Sequence, residues 1–289
     1  MIISVPEDFS FKATVYSHGW CELAPFEIDA ENWRLTCVFP AVSGDHAVRA
    51  TISDDSGGVL VELDDACKDK QTVERDVRHI LRLDDDLSGF YASLAGKDGL
   101  EWVHERRAGR LLRSPTIFED LVKTICTTNC SWNLTKSMVS NLVSKLGQPT
   151  ASGKFAFPTA DAMAAQTADF YRDEIRAGYR SPYFAEFAEA VATGKLDPES
   201  WLHSELPTLE LKKEIKKVKG VGDYAAENLL KLLGRYDGLA LDSWLRSQFY
   251  KKHNREKMCP DKKIERHYKK YGPWRGLAIW CDMTEKWIA

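Results

Sequence analysis

The stretch KKVKGVGDYAAENLLKLLG, Lys216 to Gly234, limits what this chain can fold into more than any other segment. Leu211, Ile215 and Val218 recur at i, i+4 and i+7 before a Gly-Val-Gly turn. Ala225, Leu229 and Leu232 repeat that spacing after it. Each set lines one face of a helix. Two short helices joined by so tight a turn form a helix–hairpin–helix over residues 211–233. Val221 can anchor the turn in the core, while Gly220 and Gly222 permit the tight backbone and close approach of another molecule.

The polar residues of the hairpin point to an anion. Lys212, Lys213, Lys216 and Lys217 lie off the apolar stripe, toward water or a partner, and Lys219 adds a fifth cation before the turn. The second helix is expected to start at Asp223 as N-cap, leaving free backbone N–H groups beside Gly220, Val221 and Gly222. A helix start surrounded by lysines suits phosphate. Charge along the chain agrees. The net charge is −3, but residues 1–101 carry 9 Lys/Arg against 20 Asp/Glu (−11), and residues 102–289 carry 31 against 23 (+8). A polyanion would therefore meet the rear of the chain, which includes a basic segment at 246–275.

Ahead of the hairpin the pattern changes once. FKATVYSH, WRLTCVFP, HAVRATIS and GVLVELDD, all within the first 65 or so residues, are rich in β-branched and aromatic residues and predict an antiparallel sheet with one wet face. From Lys70 the period is helical, with Val73, Val77, Ile80 and Leu81 on one face. Ser114 and Pro115 read as N-cap and first residue of a helix. WNLTKSMVSNLVSKLG carries Leu134, Met138, Leu142 and Leu146, with Gly147 as its stop. The fold class is α+β: a small antiparallel sheet domain over residues 1–70, then a mainly helical domain over 71–289. No apolar run approaches the roughly 18 residues of a membrane span, and MIISVPEDFSF lacks the pattern of a secretory signal, so no membrane association is expected. Seven scattered cysteines read as buried, reduced thiols of a cytosolic protein.

Twenty residues past Gly222, in LALDSWLRSQF, Asp242 follows an apolar approach and precedes a new helix. It reads as an N-cap, and a helix start also favours the ionised carboxylate that glycosidic cleavage requires. With this aspartate the pattern resembles the helix–hairpin–helix DNA glycosylase superfamily, in which a Gly-rich hairpin is followed about twenty residues later by an aspartate. GRLLRSPTIFEDLVKTICTTN, FAFPTADAMA and AGYRSPYFAEFAEAV are similar to segments of the 8-oxoguanine and bacterial alkylation-repair branches. YGPWRGLAIW is similar to their carboxy-terminal helix, and its PWR leans toward the alkylation branch. The resemblance covers about Gly109 to Trp280.

The departures from that family bear on chemistry. Members that also cut the backbone carry an imine-forming lysine two residues past the turn. Here that residue is Tyr224, and a phenol cannot form an imine. Asn228 stands where the 8-oxoguanine enzymes carry a cysteine, and Ile279 where they carry a base-reading glutamine that an aliphatic side chain cannot replace. Lys219 takes the place of the hairpin's usual proline. The four-cysteine iron–sulfur cluster of one branch is not expected, because Cys259 and Cys281 have no partners nearby in sequence.

The resemblance implies a base-excision glycosylase acting on double-stranded DNA as a monomer. Asp242 would be the catalytic carboxylate and Asn129 the wedge that enters the duplex. Tyr224, Asn228, Trp244, Ile279 and Met283 would line the base pocket. Lys212, Lys216, Lys217, Lys219, Gly220, Val221 and Gly222 would hold DNA. The backbone carbonyls of Lys216, Val218 and Val221 could carry a sodium or potassium ion, and no other cofactor is called for. Alkylated bases released by water fit best. An oxidised-base or mismatch glycosylase, and a damage-binding protein without turnover, are the alternatives. The protein is expected in the cytoplasm and nucleoid of a prokaryote or the nucleus of a eukaryote.

Overall fold

A computed structural model describes residues 1–40, 46–64, 69–97 and 99–288. The sheet has five antiparallel strands, β1 (Ile2–Ile3), β2 (Glu27–Asp29), β3 (Arg34–Phe39), β4 (Val48–Asp55) and β5 (Gly58–Leu63), in the order β1-β5-β4-β3-β2. The central register pairs Leu35 with Ile52 and Ile52 with Val61, so their side chains share one face and all are buried. That face is not the only covered one. Val38, on β3, packs with Ala47 and Ala156 in a small second cluster, and Ala47 N–H donates to the Pro149 carbonyl at 3.0 Å. The expected wet face is therefore partly roofed by the segment around residues 149–156.

FKATVYSH is a helix, α1 (Phe11–Val15), rather than a strand. Ser10 caps it by accepting from Ala13 N–H at 3.2 Å, and Phe11, Ala13, Thr14 and Val15 are all buried. With only Lys12 exposed among its five residues, the helix is set by tertiary burial rather than by alternation, so its β-branched composition misleads. The two shortest strands, β1 and β2, carry too few residues to show a period.

The helical part begins with α2 (Lys70–Leu81), which buries Val73, Val77, Ile80 and Leu81 as the spacing predicts. It continues through α3 (Ser88–Leu94), α4 (Glu101–Glu105), α5 (Ile117–Cys126), α6 (Trp132–Leu146), α7 (Ala160–Ala164), α8 (Ala168–Asp173) and α9 (Ser181–Ala192). The hairpin helices α10 (Thr208–Ile215) and α11 (Asp223–Leu232) follow, then α12 (Ser243–His253), α13 (Asp261–Tyr268) and α14 (Arg275–Ile288). The cap of α5 is Thr116, which accepts from Glu119 N–H at 3.1 Å. Ser114 is instead buried, its N–H donating to Asp120 Oδ1 at 2.9 Å. On α6, Gly147 is the C-cap, and the buried face is Thr135, Met138, Val139, Leu142 and Val143. Leu134 is exposed and Leu146 half-buried.

One hydrophobic core holds residues of the sheet (Leu35, Ile52, Val61) together with residues of α2, α5, α11 and α14 (Val77, Leu121, Leu229, Ile279). Among the described residues, no helix is long and apolar enough to cross a membrane. Cys21, Cys37, Cys126 and Cys281 are buried, and burial pushes the thiols of Cys21, Cys126 and Cys281 up to about 12. Cys130 and Cys259 are half-buried, and Cys67 lies outside the described residues.

Candidate active site and nucleic-acid interface

The hairpin forms as its pattern requires. Leu211, Ile215, Val218, Val221, Ala225, Leu229 and Leu232 are all buried. Gly220 has φ of +86°, and a Cβ there would lie 2.4 Å from the Tyr183 ring, so both its conformation and its space demand glycine. Gly222 is different. A Cβ there would meet nothing, which leaves the second glycine open to an approaching molecule. Gly222, not Asp223, is the N-cap of α11, and no side chain caps the helix. Its first N–H groups therefore have no side-chain acceptor at the cap.

Asp223 has another task. Its carboxylate accepts from Lys212 and Lys216, each at 3.0 Å, and these bonds hold its pKa below the usual carboxylate value. Each of the five lysines from 212 to 219 is paired in this way. Lys213 bonds Glu210 at 2.7 Å, Lys217 bonds Glu214 at 2.5 Å and Lys219 bonds Glu186 at 2.6 Å. Lys212, expected to face water or a partner, is turned inward at 19% side-chain exposure and also bonds Glu227 at 2.5 Å. Burial alone would lower the Lys212 pKa, but its two carboxylate partners outweigh that and raise it.

Asp242 caps α12, accepting from Leu245 N–H at 2.6 Å. Two grips from α11 fix the segment that delivers it. Glu227 Oε2 accepts from Ala240 N–H at 2.6 Å, and Lys231 Nζ donates to the Leu239 carbonyl at 3.2 Å. Glu227 and Lys231 are one turn apart on α11, so both reach the same bend, where Ala240 takes a left-handed φ of 50°. Lys231 is 2% exposed, and its ammonium lies 5.2 Å from the centroid of the Trp280 ring. Burial lowers its pKa to about 8, against the opposing pull of Glu227 and Asp242. A lysine enclosed in the apolar run LLKLLG is the sequence signal for this feature, and the hairpin pattern alone does not single it out.

Tyr224 connects this centre to α5. The pKa of its half-buried phenol is raised by burial and by the charge of Asp242, against the opposing influence of the Thr127 side chain. Thr127 ends α5 two residues before Asn129. Asn129 is exposed, has φ of 47°, and donates from Nδ2 to the Tyr179 hydroxyl at 3.3 Å. Tyr179 is itself 52% exposed and packs edge-on against Tyr183, the ring that covers Gly220. Asn129, Tyr179 and the hairpin turn thus form one continuous surface beside Tyr224.

The remaining pocket candidates divide. Asn228 donates its amide to the Tyr224 carbonyl at 2.9 Å. Ile279 is wholly enclosed in the core, and Met283, one turn on, is 8% exposed. Trp244 packs against α14, with ring centroids 6.0 Å from Trp280 and 5.2 Å from Trp287. No ring contact joins it to Tyr224 among the described residues. On α14 it is Trp280, rather than its neighbour Ile279, that faces Lys231 and Trp244. Of the three carbonyls considered for a cation, that of Val218 also accepts the Val221 N–H at 3.1 Å, and its second lone pair leaves it able to ligate.

No protein-family model matches the sequence, and no curated protein matches it. Solved structures do match. A 3-methyladenine DNA glycosylase from Archaeoglobus fulgidus has a TM-score of 0.76 at 18% identity, over 99% of this chain and 98% of its own. The apo form of an 8-oxoguanine glycosylase/lyase from Clostridium acetobutylicum has a TM-score of 0.73 at 18% identity, over 98% of this chain and 99% of its own. The same enzyme in complex with double-stranded DNA gives 0.71 at 18% identity, over 97% and 93%. The amino-terminal sheet and the helical body both fall within these matches. The chain has the fold of the helix–hairpin–helix DNA glycosylases.

Proposed function

We propose that this protein is a base-excision DNA glycosylase that turns a damaged, alkylated base out of duplex DNA and releases it with water. The observation that carries the reading is Asp242 at the start of α12, within electrostatic reach of Tyr224 on the hairpin helix. The carboxylate meets the charge requirement of an oxocarbenium-like sugar. By resemblance, the phenol stands where backbone-cutting members carry the imine-forming lysine, which supports release by water.

In this mechanism Asn129 enters the stack, its left-handed backbone presenting the side chain outward. The duplex backbone rests against the open Gly222 edge of the hairpin. The carbonyls of Lys216, Val218 and Val221 would hold a sodium or potassium ion there, supplying positive charge toward a phosphate. The glycosidic bond breaks with its electron pair leaving on the base. Asp242 stabilises the sugar cation, and water adds to the anomeric carbon and loses a proton. The enclosed Ile279 and the internally bonded Asn228 offer little for reading a base edge. That supports substrates chosen by leaving-group ability, as cationic methylated purines are.

The test is base release from methylated duplex DNA by the protein and by Asp242→Asn. Asparagine also caps helices well, so the variant should fold and bind DNA while excision disappears. Undiminished excision would refute the assignment of Asp242. Release of 8-oxoguanine from a parallel duplex, with none from methylated DNA, would replace the alkylation reading.

A further inference from the structure

The positive charge of this chain is concentrated away from the hairpin. Residues 246–275 hold 11 Lys/Arg against 3 Asp/Glu, a net +8. The other residues of the 102–289 region hold 20 of each, so this one segment accounts for the whole excess. The five hairpin lysines from 212 to 219, in contrast, each carry a carboxylate partner of their own.

Helix α13 explains how the segment displays its charge. Ile264 and Tyr268 are buried and fasten one face to the core. Lys262, Arg266 and Lys269 fall at i, i+4 and i+7, while Lys263 and Lys270 flank Arg266 at i−3 and i+4. All five are exposed; Lys262, Lys263 and Arg266 lie on α13 opposite the buried pair, and Lys269 and Lys270 follow directly after its last residue, Tyr268. Lys251, Arg255 and Lys257 are exposed on the end of α12 and the loop beyond. None of these eight has a carboxylate within ion-pairing distance among the described residues. Lys263 bonds the neutral Asn254 Oδ1 at 2.6 Å.

The start of α13 lies near the candidate active site. Arg246, one turn after Asp242 on α12, forms a two-pronged ion pair with Asp261 at 2.8 and 2.9 Å. Asp261 is the first residue of α13, so the basic stripe starts beside the first turn of the Asp242 helix.

We infer that the exposed basic face of α13, continued by Lys251, Arg255 and Lys257, is the main phosphate-binding surface of the protein and holds duplex DNA flanking the site of base extrusion. This rests on the reading that the chain acts on duplex DNA. A solvated helix would ordinarily intersperse both signs of charge. Here cations dominate the exposed surface, with Glu265 as the one exposed acid on α13 among the described residues, which suits a regular polyanion. The paired hairpin lysines would instead have to surrender a protein carboxylate for each phosphate gained.

The experiment measures binding to an undamaged duplex across a range of salt concentrations. One variant carries Lys262→Gln, Lys263→Gln, Arg266→Gln and Lys269→Gln, and another carries Lys213→Gln, Lys216→Gln, Lys217→Gln and Lys219→Gln. Exposed substitutions of this kind leave folding nearly unchanged, which a melting curve verifies. Each lost phosphate contact flattens the log–log slope by about 0.9. The α13 variant should therefore lose roughly 3 to 4 from the slope, and the hairpin variant distinctly less. An unchanged slope in the α13 variant, or a larger loss in the hairpin variant, overturns the inference. Equal weakening toward poly-glutamate would also overturn it, assigning the face to acidic polypeptides. Because the duplex is undamaged, a failure to excise any base would count against the glycosylase reading and leave this inference standing.

Discussion

Replacing Lys231 by methionine should make the protein more stable while weakening its chemistry. The ammonium is 2% exposed and has one carbonyl acceptor, so burial lowers its pKa from 10.5 to about 8. The folded chain thus favours the free amine more than the unfolded chain does. Below pH 8 both states are protonated, and the cost is fully present, about 3 kcal/mol for this shift. Between pH 8 and 10.5 the unfolded chain binds the extra proton, so stability rises with pH as the cost is relieved. Methionine fills a similar volume without the charge. It also forfeits the bond to Leu239, worth about 1 kcal/mol, leaving a net gain of about 2 kcal/mol at pH 7. Urea unfolding of both proteins from pH 7 to 10.5 measures it. The advantage of Lys231→Met should shrink above pH 8 and be lost by pH 10.5, where its missing bond remains. Base release should fall on the order of tenfold, since the buried charge and the Leu239 grip both act on the Asp242 segment; 1.4 kcal/mol suffices for that. An offset between the two stability curves that does not change with pH would refute the reasoning.

Further outcomes follow from the hairpin and from Tyr224. Gly220→Ala should destabilise the protein by about 1–3 kcal/mol, because its φ is left-handed and its Cβ would press on the Tyr183 ring; Gly222→Ala should leave the melting temperature nearly unchanged yet weaken duplex binding. Incubation with an abasic duplex and borohydride should give no covalent adduct, since Tyr224 replaces the amine and Lys219 is tied to Glu186 at 2.6 Å. An adduct that vanishes in Lys231→Met would identify the buried lysine as a nucleophile and overturn the water-based mechanism.

The hairpin was readable because its apolar spacing and its glycines are local facts, whereas the expected capping role of Asp223 gave way to its bonds with Lys212 and Lys216. Asp242 could be placed from sequence as both N-cap and candidate carboxylate for the same reason. Features that depend on distant partners were not readable. The strand-like composition of FKATVYSH is overridden by the burial of Phe11, Ala13, Thr14 and Val15 in the core. The lysines of the hairpin look free in sequence, yet Lys219 meets Glu186 from α9 and Lys212 meets Glu227 across the turn. Ile279 and Trp280 are adjacent, and only the packing of α14 decides that the tryptophan faces Lys231.

Glu227 joins two regions through its two carboxylate oxygens. One accepts from Lys212 on the first hairpin helix, and the other from the Ala240 backbone two residues before Asp242. Substitutions in the two regions therefore share a partner, and their effects should not add. In a double-mutant cycle, a change at Lys212 combined with one that alters the 239–242 bend should show a coupling energy of about 0.5–3 kcal/mol, as groups in one ionic network do. Sequences descended from this one could not vary the hairpin and the carboxylate segment independently. A change in the first would alter which replacements the second tolerates.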